Sequence, residues 1–177
     1  EVNSGCFGGD PVVSKLMREH GWTHRELWQD FHAKVAEIIR NLSRELYPDR
    51  DGAQYRFYWQ ESFSNGNDLS SGGVVHAWMN TYEMGRAADR GYYVVRSQGW
   101  YLDINQPGRS RDAFQDSWMD FYDLKVPGSM TAAQRKFLLG GGGCQWGEKV
   151  HNFNIDEQIW PRSLAISEVL WAYKRRG

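Results

Sequence analysis

Disulfides, membrane spans and basic tracts are missing from this sequence, and each absence narrows the field. Two cysteines, Cys6 and Cys144, are too few for a disulfide framework. No CxxC pair or histidine cluster accompanies them, so a zinc site is not expected either. No apolar stretch approaches the roughly 18 residues of a membrane-spanning helix, and residues 1–20 lack a signal-peptide pattern. Lys and Arg number 21 against 22 Asp and Glu, well mixed, for a net charge of −1. With no basic run, neither nucleic acid nor an anionic membrane is an expected partner. Neither GxGxxG nor a P-loop occurs, and "GGGGC" at 140–144 runs from a helix into a strand, the wrong order for a phosphate cradle. No cofactor and no metal are expected.

Aromatic rings are what the sequence has in plenty: nine Trp, nine Tyr and eight Phe among 177 residues. The apolar fraction of 41% and the length fit one globular domain with a sizeable core. The rings serve either a Trp-rich core or a sugar site, where flat faces stack on pyranoside C–H groups while carboxylates take the hydroxyls. Composition leaves both readings open.

Along the chain, "CFGGD" reads as a strand with Asp10 at its end. Thr23-His24-Arg25-Glu26 then opens a helix as a capping box. Leu27, Phe31, Val35, Ile38 and Leu42 give that helix one apolar face, and Pro48 stops it near Leu46. Strands follow at "YRFYWQES" (55–62), "VVHAWM" (74–79) and "YYVVRSQ" (92–98), with a loop at 64–73 and a short helix at 81–91. An irregular excursion runs through Pro107 and Pro127. A helix at 131–141, a Gly-rich strand end at 142–148 and a helix from Pro161 to about Lys174 complete the chain. Alternation of this kind predicts a parallel sheet with helical crossovers. Five strands correspond to the back part of a (β/α)₈ TIM barrel, which has eight strands in about 250 residues. A small doubly wound domain is the competing architecture.

The residues that are expensive to keep fall in one place on each unit: Asp10, Trp59 with Glu61, Trp78, Tyr101 with Asp103, and Trp146 with Glu148. Each follows a strand, and in parallel α/β folds the carboxyl ends of the strands carry the site. Together they would wall one aromatic, acidic pocket. Glu61 reads as a second acid or as a structural partner. His20, His24 and His32 read as solvated surface histidines rather than metal ligands, and Cys144 as a small buried hydrophobe.

The motifs "GGD", "YWQES", "VVHAW", "GWYLD", "GGGGCQWGE" and "NIDEQIWPRSLAISEVLW", in this order, resemble glycoside hydrolase family 20, the β-N-acetylhexosaminidases. The resemblance covers nearly the whole chain and makes residues 1–177 the C-terminal portion of that family's catalytic TIM barrel, about its last five β/α units. It implies retaining hydrolysis of terminal N-acetylglucosamine or N-acetylgalactosamine from glycans, with the substrate's own acetamido oxygen as nucleophile. The residue matching Asp10 would take the acetamido N–H and stabilise the developing cation. Tyr101 would donate to the acetamido oxygen, with Trp59, Trp78 and Trp146 as walls. Asp103 and Glu148 would bind the outer hydroxyls. The resemblance further implies a lysosomal or secreted glycoprotein, for which the sequon Asn41-Leu42-Ser43 is a weak independent sign. It also implies that an N-terminal half barrel, or another chain in a homo- or heterodimer, covers the open sheet edges.

One departure stands against hydrolysis. The glutamate that serves the family as general acid follows the aspartate directly, and here that position is Pro11. Because "PVVSKLMREHGW" resembles a family segment about ten residues further on, Asp10 and Pro11 look like two sides of a deletion. Either the molecule carries a loop there that this sequence omits, or the loop is gone and the protein is an inactive, sugar-binding or subunit-contacting relative.

Overall fold

The structure, a computed structural model, describes residues 4–48, 56–103, 117–124 and 126–172. Three helices open it: α1 (Ser4–Gly9), α2 (Pro11–His20) and α3 (His24–Leu46). Strand β1 (Arg56–Trp59) runs straight into α4 (Gln60–Ser64), followed by β2 (Gly73–Ala77), α5 (Tyr82–Asp89) and β3 (Tyr93–Arg96). Beyond them lie α6 (Trp118–Asp123), α7 (Ala132–Arg135), β4 (Leu138–Gly141), α8 (Ile155–Ile159) and α9 (Arg162–Trp171). The strands pair in chain order, β1-β2-β3-β4, and every pairing is parallel.

This order follows from the residues. Val74, Val75 and Ala77 of β2 are fully buried on both faces, as a central parallel strand requires. Met84, Ala87 and Ala88 on one side of α5 close the face they pack on, with Phe63, Leu69, Val94 and Met130. A second cluster of Trp100, Leu102, Phe121, Ala165 and Ile166 joins β3's exit to α6 and α9. The long helix obeys its capping box: Thr23 accepts from the Glu26 backbone N–H at 3.3 Å, and Glu26 takes the Thr23 N–H at 2.7 Å.

Four local expectations are corrected. "CFGG" forms α1 rather than a strand, because it has no β-branched residue and two glycines. The Ser14 hydroxyl instead donates to the carbonyls of Phe7 (3.3 Å) and Gly8 (3.0 Å), folding α1 onto α2. Hence four strands, not five, pair among the described residues. The helix expected over 131–141 is one turn long, since Phe137–Gly141 satisfies the open edge of β3: Val94 N–H donates to Phe137 O at 2.9 Å. The strand therefore precedes 142–148, where only Cys144 bridges to Tyr101. The excursion after Asp103 contains α6, opened by a Ser117–Asp120 capping box. Pro161 directly precedes α9; the expected end near Lys174 and the Pro107 stretch lie outside the described residues.

Candidate active site

Parallel register brings the strand ends level. Trp59 of β1 pairs with His76 of β2, and their rings stack at 4.5 Å with 14° between planes. Beyond β2 the chain turns at Trp78, and beyond β3 at Tyr101, whose backbone bridges to Cys144. That bridge carries Trp146 across to Trp59, ring centroids 5.9 Å apart. Trp78 and Tyr101 face each other at 6.2 Å and 45°.

The result is a cavity of about 410 Å³ lined by Trp59, Glu61, Trp78, Tyr101, Asp103, Trp146, Glu148 and Lys149. Its volume falls within the range of small-ligand sites. Tyr101 and Asp103 are buried, at 7% and 4% exposure, while Trp59 and Trp146 stand at the mouth with 37% and 45%. Burial pushes the Tyr101 phenol up to about 12, with the neighbouring Ser97 hydroxyl pulling the other way. Tyr101 therefore keeps its O–H as a donor throughout the neutral range. Asp103 Oδ1 is buried with no hydrogen-bond partner among the described residues, an unsatisfied acceptor on a residue of the cavity lining.

Seven of the residues singled out from the sequence, Trp59, Glu61, Trp78, Tyr101, Asp103, Trp146 and Glu148, are thus brought to one cavity. The eighth, Asp10, is not among its lining. It is the N-cap of α2, where its Oδ1 accepts from Val12 N–H at 2.8 Å and Val13 N–H at 2.9 Å. Pro11 occupies the first helical position, and the backbone passes directly between the two, with Asp10 O accepting from Ser14 N–H at 2.9 Å. The segment that resembles a second side of a deletion is here the helix that Asp10 opens.

Sequence reasoning did not single out His76 or Lys149. His76 supports Trp59 from below and reaches the Ser97 hydroxyl through Nε2 at 2.9 Å, and burial lowers its pKa. A polar residue two positions before Trp78, on the same face of an otherwise apolar strand, was its only signal. His32 also differs from expectation. Rather than being solvated, its ring lies among Trp28, Phe31 and Tyr58, with Nε2 buried and unpartnered among the described residues. Among these residues no group of side chains is arranged to hold a metal ion.

Comparison with known proteins places the chain. The catalytic domain described as "Glycosyl hydrolase family 20" matches residues 1–174. Mouse beta-hexosaminidase subunit beta is 29% identical over 182 residues, covering 98% of this chain and 30% of that protein. Beta-hexosaminidase 3 of Arabidopsis thaliana is 30% identical over 176 residues, covering 97% of this chain and 29% of the relative. A Vibrio harveyi GH20 exo-β-N-acetylglucosaminidase, solved with N-acetylglucosamine, superposes with a TM-score of 0.76 at 25% identity. That match covers 100% of this chain and 28% of the other. The chain spans between 29% and 30% of the length of these two curated relatives.

Proposed function

This chain belongs to glycosyl hydrolase family 20, and from that premise we propose that its cavity binds a terminal N-acetylhexosamine in a β-N-acetylhexosaminidase active site. One observation carries the proposal: three indoles, a neutral tyrosine and the carboxylates of Asp103 and Glu148 converge on one space of about 410 Å³. Trp59, Trp78 and Trp146 exclude water from the acetamido group, and Tyr101 donates to its oxygen. Held in line, that oxygen attacks the anomeric carbon, and positioning of this kind contributes several kcal/mol to the barrier reduction. Asp103 and Glu148 accept from the outer hydroxyls and fix which end of the glycan enters. Asp10 does not line the cavity as it stands, and its part in this reading, taking the acetamido N–H, rests on the family resemblance together with an Oδ2 that neither capping bond uses.

The remaining barrel strands, from further sequence or a second chain in a dimer, would cover apolar residues such as Phe31 and Phe57, now 60% and 63% exposed. The exposed sequon at Asn41 supports a secreted or lysosomal route for the same reading.

A second reading has its own observation. With Asp10 committed to α2 as its N-cap and Pro11 in the sequence position where the family carries its general acid, the cavity would bind sugar without cleaving it. Two measurements on the full protein separate the readings: titration with N-acetylglucosamine, and release of nitrophenol from 4-nitrophenyl N-acetyl-β-glucosaminide. Binding with turnover supports hydrolysis, and binding alone supports the second reading. Failure of both overturns the cavity assignment.

A further inference from the structure

Resting on that assignment of the cavity, we propose that Glu61 is a positioning residue, which sets the pose of the Trp78 indole by accepting its ring N–H. The indole Nε1–H of Trp78 lies 3.0 Å from Glu61 Oε1 and 3.0 Å from Oε2, so it points between the two carboxylate oxygens. A group that accepts with both oxygens has no proton to give. The geometry therefore makes Glu61 a partner of Trp78 and not a substitute for the missing general acid.

The residue before it secures the other end of the same side chain. Gln60 is fully buried, and its Oε1 accepts the backbone N–H groups of Trp78 (3.1 Å), Met79 (3.0 Å) and Asn80 (3.4 Å). Gln60 and Glu61 thus hold Trp78 by its backbone and by its ring, from the corner where β1 enters α4. The third constraint is the Tyr101 ring on the cavity side. An indole that walls a small polar group must be held within about half an ångström to exclude water from it, and packing on one face does not fix rotation about its last torsion. The carboxylate does.

The contact itself is tested without sugar. In protein carrying ¹⁵N-labelled tryptophan indoles, the Nε1–H resonance that disappears in Trp78→Phe is that of Trp78. It is expected to move in Glu61→Ala, which removes its acceptor, and to stay close to its original position in Glu61→Gln, which keeps one. A Trp78 resonance at the same position in Glu61→Ala as in the unsubstituted protein overturns the proposal.

Its consequence is tested by a double-mutant cycle on N-acetylglucosamine affinity. Glu61→Ala is expected to weaken binding about tenfold, the loss of one hydrogen bond to a charged group. Glu61→Gln, which keeps an acceptor, should recover most of that loss. In a Trp78→Phe background, with no ring N–H to hold, Glu61→Ala should cost less than about twofold. Additive losses would mean that Glu61 touches the sugar itself, and would overturn the positioning role. If the unsubstituted protein binds no N-acetylglucosamine, the cavity assignment fails, and the indole resonance of Glu61→Ala still decides the contact.

Discussion

Both side-chain hydrogen bonds that Asp10 makes to α2 end on Oδ1, which leaves Oδ2 for other chemistry. Capping and catalysis can therefore be separated at this residue. Asparagine caps a helix about as well as aspartate, whereas alanine costs roughly 1 kcal/mol. Asp10→Asn is accordingly expected to melt with the unsubstituted protein, and Asp10→Ala to melt about 2–4 °C lower. If hydrolysis operates as proposed, both variants lose turnover by about 10²–10³-fold, because each removes the anion that stabilises the developing charge. Calorimetry with the nitrophenyl assay checks this, and undiminished turnover in Asp10→Asn would remove Asp10 from the mechanism. The cavity residues were readable from sequence because each stands at, or a few residues beyond, the carboxyl end of a strand of a parallel sheet, where the fold itself points them together. Asp10 met the same criterion only on the assumption that "CFGG" is a strand. His76 escaped notice because its role, a stacked ring under Trp59, depends on strand register, which residue pattern alone does not give.

Elements differ in how much of their structure their own residues dictate. The bounds of α3 were legible, since its capping box and Pro48 agree with one another, but the residues it buries are Trp28 and Ala36, while Phe31, Ile38 and Leu42 of the apolar period stand exposed. β4 was not. Thr131 to Arg135 favour a helix, and only the unpaired edge of β3 turns the following Phe137–Gly141 into a strand. That capture needs close approach of two backbones, and glycine supplies it: a Cβ on Gly141 would press on the Arg96 carbonyl and the Trp100 ring. Neither obstacle is a flexible side-chain end. Gly141→Ala is expected to cost about 1–3 kcal/mol of stability. It should also weaken sugar binding, because β4 leads into the turn that carries Trp146. Gly142→Ala, with no atom within 4 Å of the added methyl, is the control and should leave both unchanged. Equal melting temperatures for the two variants would refute the close-packing account of β4.

At the scale of the whole molecule, burial has set the outer limits of pH over which the sheet and its long helix hold together. His32 couples α3 to β1 through Tyr58, at 5.2 Å, and His76 backs the Trp59 ring at the cavity mouth; burial lowers the pKa of both from an ordinary 6.5. A lowered folded-state pKa means that the unfolded chain binds the proton more readily. The stability these rings contribute is therefore complete above 6.5 and is lost as pH falls below it, through their folded values. Tyr101 sets the opposite limit. Its pKa is raised from 10.0 to about 12, so the unfolded chain gives up the proton first, and stability falls as pH climbs from 10 towards 12. Between these limits the melting temperature should be nearly flat. His32→Phe tests the acid side most directly, since the ring already sits among Trp28, Phe31 and Tyr58 and its Nε2 has no partner to lose among the described residues. The unsubstituted protein is expected to lose melting temperature steadily from pH 6.5 to pH 5, and His32→Phe to lose distinctly less. Thermal scans at half-unit pH steps decide it. Identical acid slopes in the two proteins would show that His32 does not control how α3 stays on the sheet.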